Sequence, residues 1–345
     1  MAHRGRARAV LVDSLALNAL PRNGVRLIAA DVGGTHARVA LVDEAGDRAR
    51  LDRYQRYACA DFPSLAALLA HYVASLDLAA TVDAAVAIAG VLDGDRLINT
   101  NLPWPVSPSQ TRRDAGLREL HLINDFEALA YAVPAIDPSG GRLLSGPERP
   151  SLDGPIVLIG PGTGLGAAVC FPGPPVRVLP TEAGHVSLAV GTPRELAILE
   201  RLLRRWPHVD AERALSGPGL VNIYQALCAI DGADALHDSP AAIVAAAQAG
   251  ADALAGEALH TFCALLGSFA GDLATSFGAR EVYVAGGVAE RIGDFLGDGT
   301  FQSRFLNKGA LRDRVARVTV RLVDHGSLGV AGAAQWHRQH HRDLP

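Results

Sequence analysis

Two stretches of this chain share one layout, and that layout limits what the chain can become. Residues 25–46, "VRLIAADVGGTHARVALVDEAG", and residues 154–173, "GPIVLIGPGTGLGAAVCFPG", each run as apolar segment, glycine-rich turn, apolar segment, turn. Aliphatic runs broken by glycines favour tightly reversing strands, so both read as β-hairpins. Their turns, at Gly33 and Gly162, lie 129 residues apart. Two matching hairpins at that separation point to two related halves with a cleft between them. The second turn is Gly-x-Gly-x-Gly, but a dinucleotide fingerprint needs a long helix directly after it. Here Phe171-Pro172-Gly173-Pro174-Pro175 closes the run within a few residues, which leaves a strand–turn–strand cradle.

The rest of the chain alternates strand and helix. "PSLAALLAHYVASL" (63–76) has helical period after Pro-Ser, and residues 83–107 read as a buried strand, a turn at Asp93-Gly94 and a second short strand. "SPSQTRRDAGL" opens a helix before the strand "LHLI". Residues 194–206 carry an apolar stripe opposite arginines, and residues 240–277 give one or two Ala-rich helices with Gly250 and Gly256 as breaks. "EVYVAGG" (281–287) is strand, Gly-Gly, helix; "VTVRLV" (318–323) is the last clear strand; residues 326–339 close the fold as a helix, with a His- and Arg-rich solvated tail. Such alternation defines an α/β architecture.

Composition excludes several classes. Net charge is −4 with no basic excess, which argues against nucleic acid and anionic membrane partners. Cys59, Cys170, Cys228 and Cys263 are far apart, so they read as buried thiols in a reducing compartment. Lys308, the one lysine, sits in "FLNKGALRDR", which is no Walker loop. The uncharged stretch Gly154 to Val176 holds 11 Gly or Pro in 23 residues and cannot span lipid as a helix. Residues 1–24 read as a flexible extension, since Asp13 interrupts their apolar stretch. A cytoplasmic enzyme is expected.

Four places could carry chemistry. In Ala30-Asp31-Val32-Gly33-Gly34-Thr35, glycines let backbone N–H groups approach an anion, Thr35 adds a hydroxyl, and Asp31 could orient a metal ion's water shell. Gly162-Thr163 offers a second cradle, and Gly286-Gly287 closes a strand where a flat ring or ribose could lie on backbone. Asn124-Asp125 interrupts an apolar run, where a carboxylate is costly to bury unless paired. Asp125 is either the cap of the following helix or a reacting group. Glu182, His185 and Glu212 are further polar groups able to accept or donate directed hydrogen bonds. The Glu182–His185 spacing could also suit a metal, but Gly184 and Pro180 oppose the helix that would aim both inward, so no protein-held metal is expected.

The strings "DVGGTHAR", "LINDFEA", "GPGTGLG", "PTEAGHVSLA", "AERALSGPGL" and "VAGGVAERI", in that order, resemble the bacterial glucokinases that lack the zinc-binding cysteine motif of ROK sugar kinases. The chain departs from that family's pattern at His36, where Asn is usual, and at Thr181 and Ala183. The resemblance covers about residues 26 to 336 and implies a two-lobed, actin-like ATPase (ribonuclease H-like) α/β fold with a cleft between a smaller and a larger lobe. It implies a small lobe of residues 25–134 plus 325–345, a large lobe of 135–324, and 1–24 as an extension. It implies glucose and ATP as substrates, Mg²⁺ carried with the nucleotide, and a homodimer. It gives Asp125 the role of base, sugar contacts to Asn124, Asp125, Glu182, His185 and Glu212, phosphate contacts to Gly33, Gly34, Thr35, Gly162 and Thr163, and the adenosine to Gly286 and Gly287. Another hexose or amino sugar as substrate is the alternative, as is a non-catalytic sugar sensor, although residues 1–24 are too short for a DNA-reading domain. The donor, ATP against ADP or polyphosphate, stays open at this level.

Overall fold

The computed structural model describes residues 26–45, 48–76, 82–98, 102–136, 141–148, 154–324 and 326–341 of the chain. The expected extension, 1–24, lies outside them. The chain divides into two compact units, one running to Gly140 and resuming at Gly326, the other Gly141–His325.

The first unit begins β1 (Arg26–Val32), β2 (His36–Ala45), β3 (Arg48–Ala58), α1 (Leu65–Ser75), β4 (Val82–Ile88), β5 (Val91–Asp93), β6 (Arg96–Ile98), α2 (Pro108–Asp114), β7 (Leu120–Ile123) and α3 (Asp125–Tyr131). Its main sheet has the order β3-β2-β1-β4-β7, antiparallel across β3-β2-β1 and parallel across β1-β4-β7. β4 is buried along its whole length, which fits its near-continuous apolar run at the centre of parallel strands. Ser64 caps α1 by accepting from the Ala67 N–H, and Ser107 with Pro108 starts α2 in the same way.

The second unit holds β8 (Arg142–Ser145), β9 (Ile156–Pro161), β10 (Leu165–Phe171), β11 (Arg177–Thr181), α4 (Pro193–Leu203), α5 (Gly217–Asp231), α6 (Pro240–Gln248), α7 (Ala253–Phe277), β12 (Glu281–Val284), α8 (Gly287–Arg291), α9 (Gly293–Leu296), α10 (Thr300–Phe305), α11 (Arg312–Val315) and β13 (Thr319–Leu322). Its sheet runs β11-β10-β9-β12-β13-β8. Leaving aside the edge strand β8, this repeats the first unit's order and its change from antiparallel to parallel. The sequence repeat is therefore a repeat of sheet topology. α7 is long and apolar enough to cross a membrane by length and composition, yet Leu259, Phe262, Leu266 and Phe269 belong to the unit's buried core. All four cysteines are free and buried.

The final helix, α12 (Leu328–His340), returns to the first unit and packs on β1, β4 and α3. One expectation needs correction. Gly250, in the left-handed region, ends the α6 segment, but Gly256 lies inside α7 and breaks nothing. No atom approaches its absent side chain, so the first turn of α7 tolerates it. Of the His- and Arg-rich tail after residue 339, His340 is exposed and His341 half-buried, and residues 342–345 lie outside the described residues. Inside the helix, His337 is 1% exposed and Arg338 6%. α12 carries them onto the sheet, where the His337 and His341 rings pack on His121 of β7.

Candidate active site

In the first unit, strand register brings the polar segments to one edge. Asp31 pairs with Ala87 and Ala87 with Ile123 across the parallel strands. The β1–β2 turn and Asn124-Asp125 therefore leave the same carboxyl edge of the sheet, the edge where α/β folds of this kind bind ligands. Backbone hydrogen bonds brace the turn itself. The Gly33 N–H donates to His36 O at 3.0 Å, and the Cys59 N–H to Thr35 O at 2.9 Å. The Cys59 thiol donates to Gly33 O, and burial pushes its pKa up, which keeps the proton that makes it a donor. Gly33, Gly34 and Thr35 are exposed, and Ala30 and Val32 are buried beneath them.

Asp31 accepts from Arg38 Nη1 at 3.0 Å, the two facing each other in the β1–β2 register. A side chain on Gly329 would lie 2.8 Å from the Asp31 carboxyl carbon. The small residues at the start of α12 thus let the helix pass over this carboxylate. The sequence showed the small residues but not their target.

At the end of β7 the cap is Asn124. Its Oδ1 accepts from the N–H groups of Phe126 and Glu127 at 2.9 and 3.1 Å. Asp125 is the first residue of α3, part-buried, with Oδ1 3.0 Å from the Phe126 N–H. Burial raises the pKa of Glu127 in the same turn, against the pull of His340.

The second unit gathers the other candidates around the β9–β10 turn. The Gly162 N–H donates to Gly164 O, and the Gly217 N–H at the start of α5 donates to Gly162 O, both at 2.8 Å. Glu212 Oε2 accepts from the Leu165 N–H at 2.8 Å, so this carboxylate lies on the turn itself. A side chain on Gly164 would come within 2.5 Å of it. Glu212 stands in a turn, its N–H bonded to Gly184 O at 2.9 Å. Gly184 sits in a single 3₁₀ turn, Ala183–His185, packed so tightly on Leu165 O that no side chain fits. The exposed His185 ring lies 3.3 Å from Asp210 Oδ2, and the His185 N–H donates to Glu182 O at 2.9 Å. Glu182, His185 and Glu212 thus stand on short turns joined by backbone bonds around the start of β10. Asp210, which meets His185, was not singled out in the sequence; its position two residues before Glu212 gave no periodic signal.

Gly286 and Gly287 follow β12, the strand parallel to β9. Gly286 has φ +96°, and a side chain there would meet Pro161 O at 2.6 Å, so only glycine lets the α8 start lie this close to the β9 end. Gly162, Thr163, Gly286 and Gly287 therefore share one sheet edge. Among the described residues no group of three or more His, Cys, Asp or Glu is arranged to hold a metal ion.

A ribonuclease H-like sheet in each unit, each with a glycine turn after its first strand, defines an actin-like ATPase fold of the kind used by sugar kinases. The crystal structure of a glucokinase from an Antarctic psychrotroph matches 92% of this chain and all of that one, with TM-score 0.80 and 33% identity. A "Glucokinase-like protein" of Xylella fastidiosa strain Temecula1 is 45% identical over 317 residues, 90% of this chain and 94% of that one. A glucokinase of Nitrobacter hamburgensis is 39% identical over 308 residues, 88% of this chain and 94% of that one. The chain belongs to the glucokinase family, whose model matches residues 28–340, and its activity is ATP-dependent phosphorylation of glucose.

Proposed function

We propose that Asp125 is the general base of this reaction, and that the hexose and nucleotide contacts fall on the residues gathered at the two carboxyl sheet edges. The observation that carries the base role is the division of labour at α3: Asn124 caps the helix, so Asp125 is not needed for that task. A carboxylate beside the 6-hydroxyl orients the O–H and accepts its proton as oxygen bonds to the γ-phosphorus and the bond to ADP breaks. The amide of Asn124 keeps its N–H₂ for a sugar hydroxyl. Glu182, His185 and Glu212 pair further hydroxyls, which sets specificity because an analogue lacking one leaves a polar group unpaired.

Gly33, Gly34, Thr35, Gly162 and Thr163 hold phosphate oxygens of ATP, with Ala30 and Val32 supporting the first turn. Gly286 and Gly287 lie along the adenosine. Mg²⁺ carried with the nucleotide would supply neutralisation of phosphate charge, and Asp31, fixed by Arg38, would hold a water of its hydration shell. The protein works in the cytoplasm as a homodimer, readings supported by four buried free thiols and by the family resemblance respectively. Light scattering of the purified chain checks the dimer.

Asp125→Ala is expected to lower kcat by about 10²–10⁴-fold. Glucose affinity, read by calorimetry, should change only a few-fold. Undiminished turnover would remove Asp125 from the chemistry.

A further inference from the structure

The second unit has a cavity of about 150 Å³ bordered by Arg280, Arg314 and Arg317, with Leu311, Val315 and Val318 supplying apolar wall. No carboxylate borders it. None of the three guanidinium groups has a hydrogen-bond or ion-pair partner among the described residues, whereas Arg38, Arg118, Arg194 and Arg304 each meet a carboxylate. Three unpaired like charges around one concavity repel one another, and an apolar wall strengthens their field.

The backbone beneath them is fixed. Arg280 is held by its N–H to Pro155 O at 2.8 Å and by the Thr319 N–H to its own carbonyl at 3.2 Å. The Arg280 stem covers Gly154, where a side chain would come within 2.6 Å of its Cγ. The Arg317 N–H bonds Arg314 O at 3.2 Å, closing a tight turn between α11 and β13. The backbone that carries the three arginines is therefore pre-formed.

We propose that this cavity binds a compact phosphate monoester. Guanidinium forks match phosphate oxygens in pairs, and a dianion with three terminal oxygens offers an acceptor to each arginine, which a monocarboxylate does not. At about 30 Å³ per water the volume holds about five waters, room for a phosphate group and a short carbon body at its open side. The site is separate from the nucleotide contacts proposed above. Arg280 precedes β12 and Val318 precedes β13, whereas Gly286 and Gly287 follow β12, so the cavity opens at the amino ends of these strands.

The test is isothermal titration of the full chain with glycerol 3-phosphate, with glycerol as the neutral control. Glycerol 3-phosphate should bind and glycerol should not. R314Q/R317Q should weaken binding at least tenfold while leaving the KM for ATP unchanged. All three arginines are exposed, so the variants should fold; if the double variant melts early, R280Q alone carries the comparison. Wild-type affinity retained in both variants would place the phosphate elsewhere, for example on the glycine turns, and end the proposal. So would absence of binding to the wild type at millimolar ligand.

Discussion

The two glycine hairpins occupy the same place in two sheets of the same order, yet they obtain their acidic group by different routes. In the first, Asp31 belongs to the strand and faces Arg38 across the register. In the second, Gly160 faces Gly166, and the carboxylate on the turn comes from Glu212, 47 residues beyond the amide it meets. The turns also differ in length: Val32 opposes Ala37, whereas Pro161 opposes Leu165, which is one residue tighter. A repeated sheet supplies equivalent backbone positions. Charge is then placed locally, by the strand in one half and by a neighbouring turn in the other.

The largest test of this parallel concerns how each half holds its helices. Gly332 of α12 faces Ala128 O of α3, and Gly267 of α7 faces Phe301 O of α10; a side chain would approach these carbonyls to 1.7 and 2.2 Å. Both obstacles are backbone and cannot swing aside. Gly→Ala in a helix interior gains up to about 1 kcal/mol of propensity, but overpacking of this kind costs about 3 kcal/mol, so the net sign is destabilising. Each variant should lose about 2 kcal/mol in urea unfolding, Gly332→Ala through the first unit and Gly267→Ala through the second. A variant as stable as the wild type would show that its half can relax where the other cannot.

A smaller effect separates the two hairpins. At Gly164 the obstacle is the end of a side chain, the Glu212 carboxylate at 2.5 Å, whereas nothing approaches Gly162 within 4 Å. Gly164→Ala should displace Glu212 and leave the fold intact. The KM for glucose should rise about tenfold, the loss of about one charge-assisted hydrogen bond, with melting nearly unchanged. Gly162→Ala should leave the glucose KM alone. Equal behaviour of the two variants would break the assignment of Glu212 to the sugar.

Much of this frame was legible in the sequence, because aliphatic runs interrupted by glycine carry both strand and turn information. The two hairpins and the strand before Gly286 follow from that alone, and the helix after "LHLI" from the polar pair Asn124-Asp125 at its start. β3 was not legible: "RARLDRYQRYA" is an edge strand, paired only with β2, and its charged residues hide the pattern. The buried polar residues of the last helix were not legible for the opposite reason. His337 and Arg338 look solvated by composition, and only the return of α12 to the first unit buries them. At the site, the residue types were readable but their division of tasks was not. That Asn124 rather than Asp125 caps α3, that Gly329 clears Asp31 and that Asp210 meets His185 all depend on contacts between segments with no shared periodicity.

The smallest predicted effect compares the carboxylates that each half buries near the start of its second parallel strand. Asp83 of β4 is 3% exposed and is gripped by Arg118 through two bonds of 2.7 and 2.5 Å. Glu281 of β12 is fully buried; its Oε2 accepts from the Tyr283 hydroxyl at 2.7 Å, and its Oε1 has no hydrogen-bond partner among the described residues. Burial raises its pKa above 4.5, with the Tyr283 hydroxyl and Arg321 only partly opposing the rise. A carboxyl whose folded value lies above its unfolded one contributes its full share of stability below the unfolded value, and that share is lost as pH rises through the folded one. Glu281→Gln stays neutral at every pH and keeps the Tyr283 contact. Its melting temperature should therefore match the wild type near pH 4 and exceed it by about 1–3 °C at pH 8. Asp83→Asn should do the reverse at pH 7, destabilising the chain by removing the partner of Arg118. A Glu281→Gln advantage that is flat from pH 4 to pH 8 would mean that Glu281 does not exchange its proton on unfolding. The two halves would then manage their buried acids in the same way.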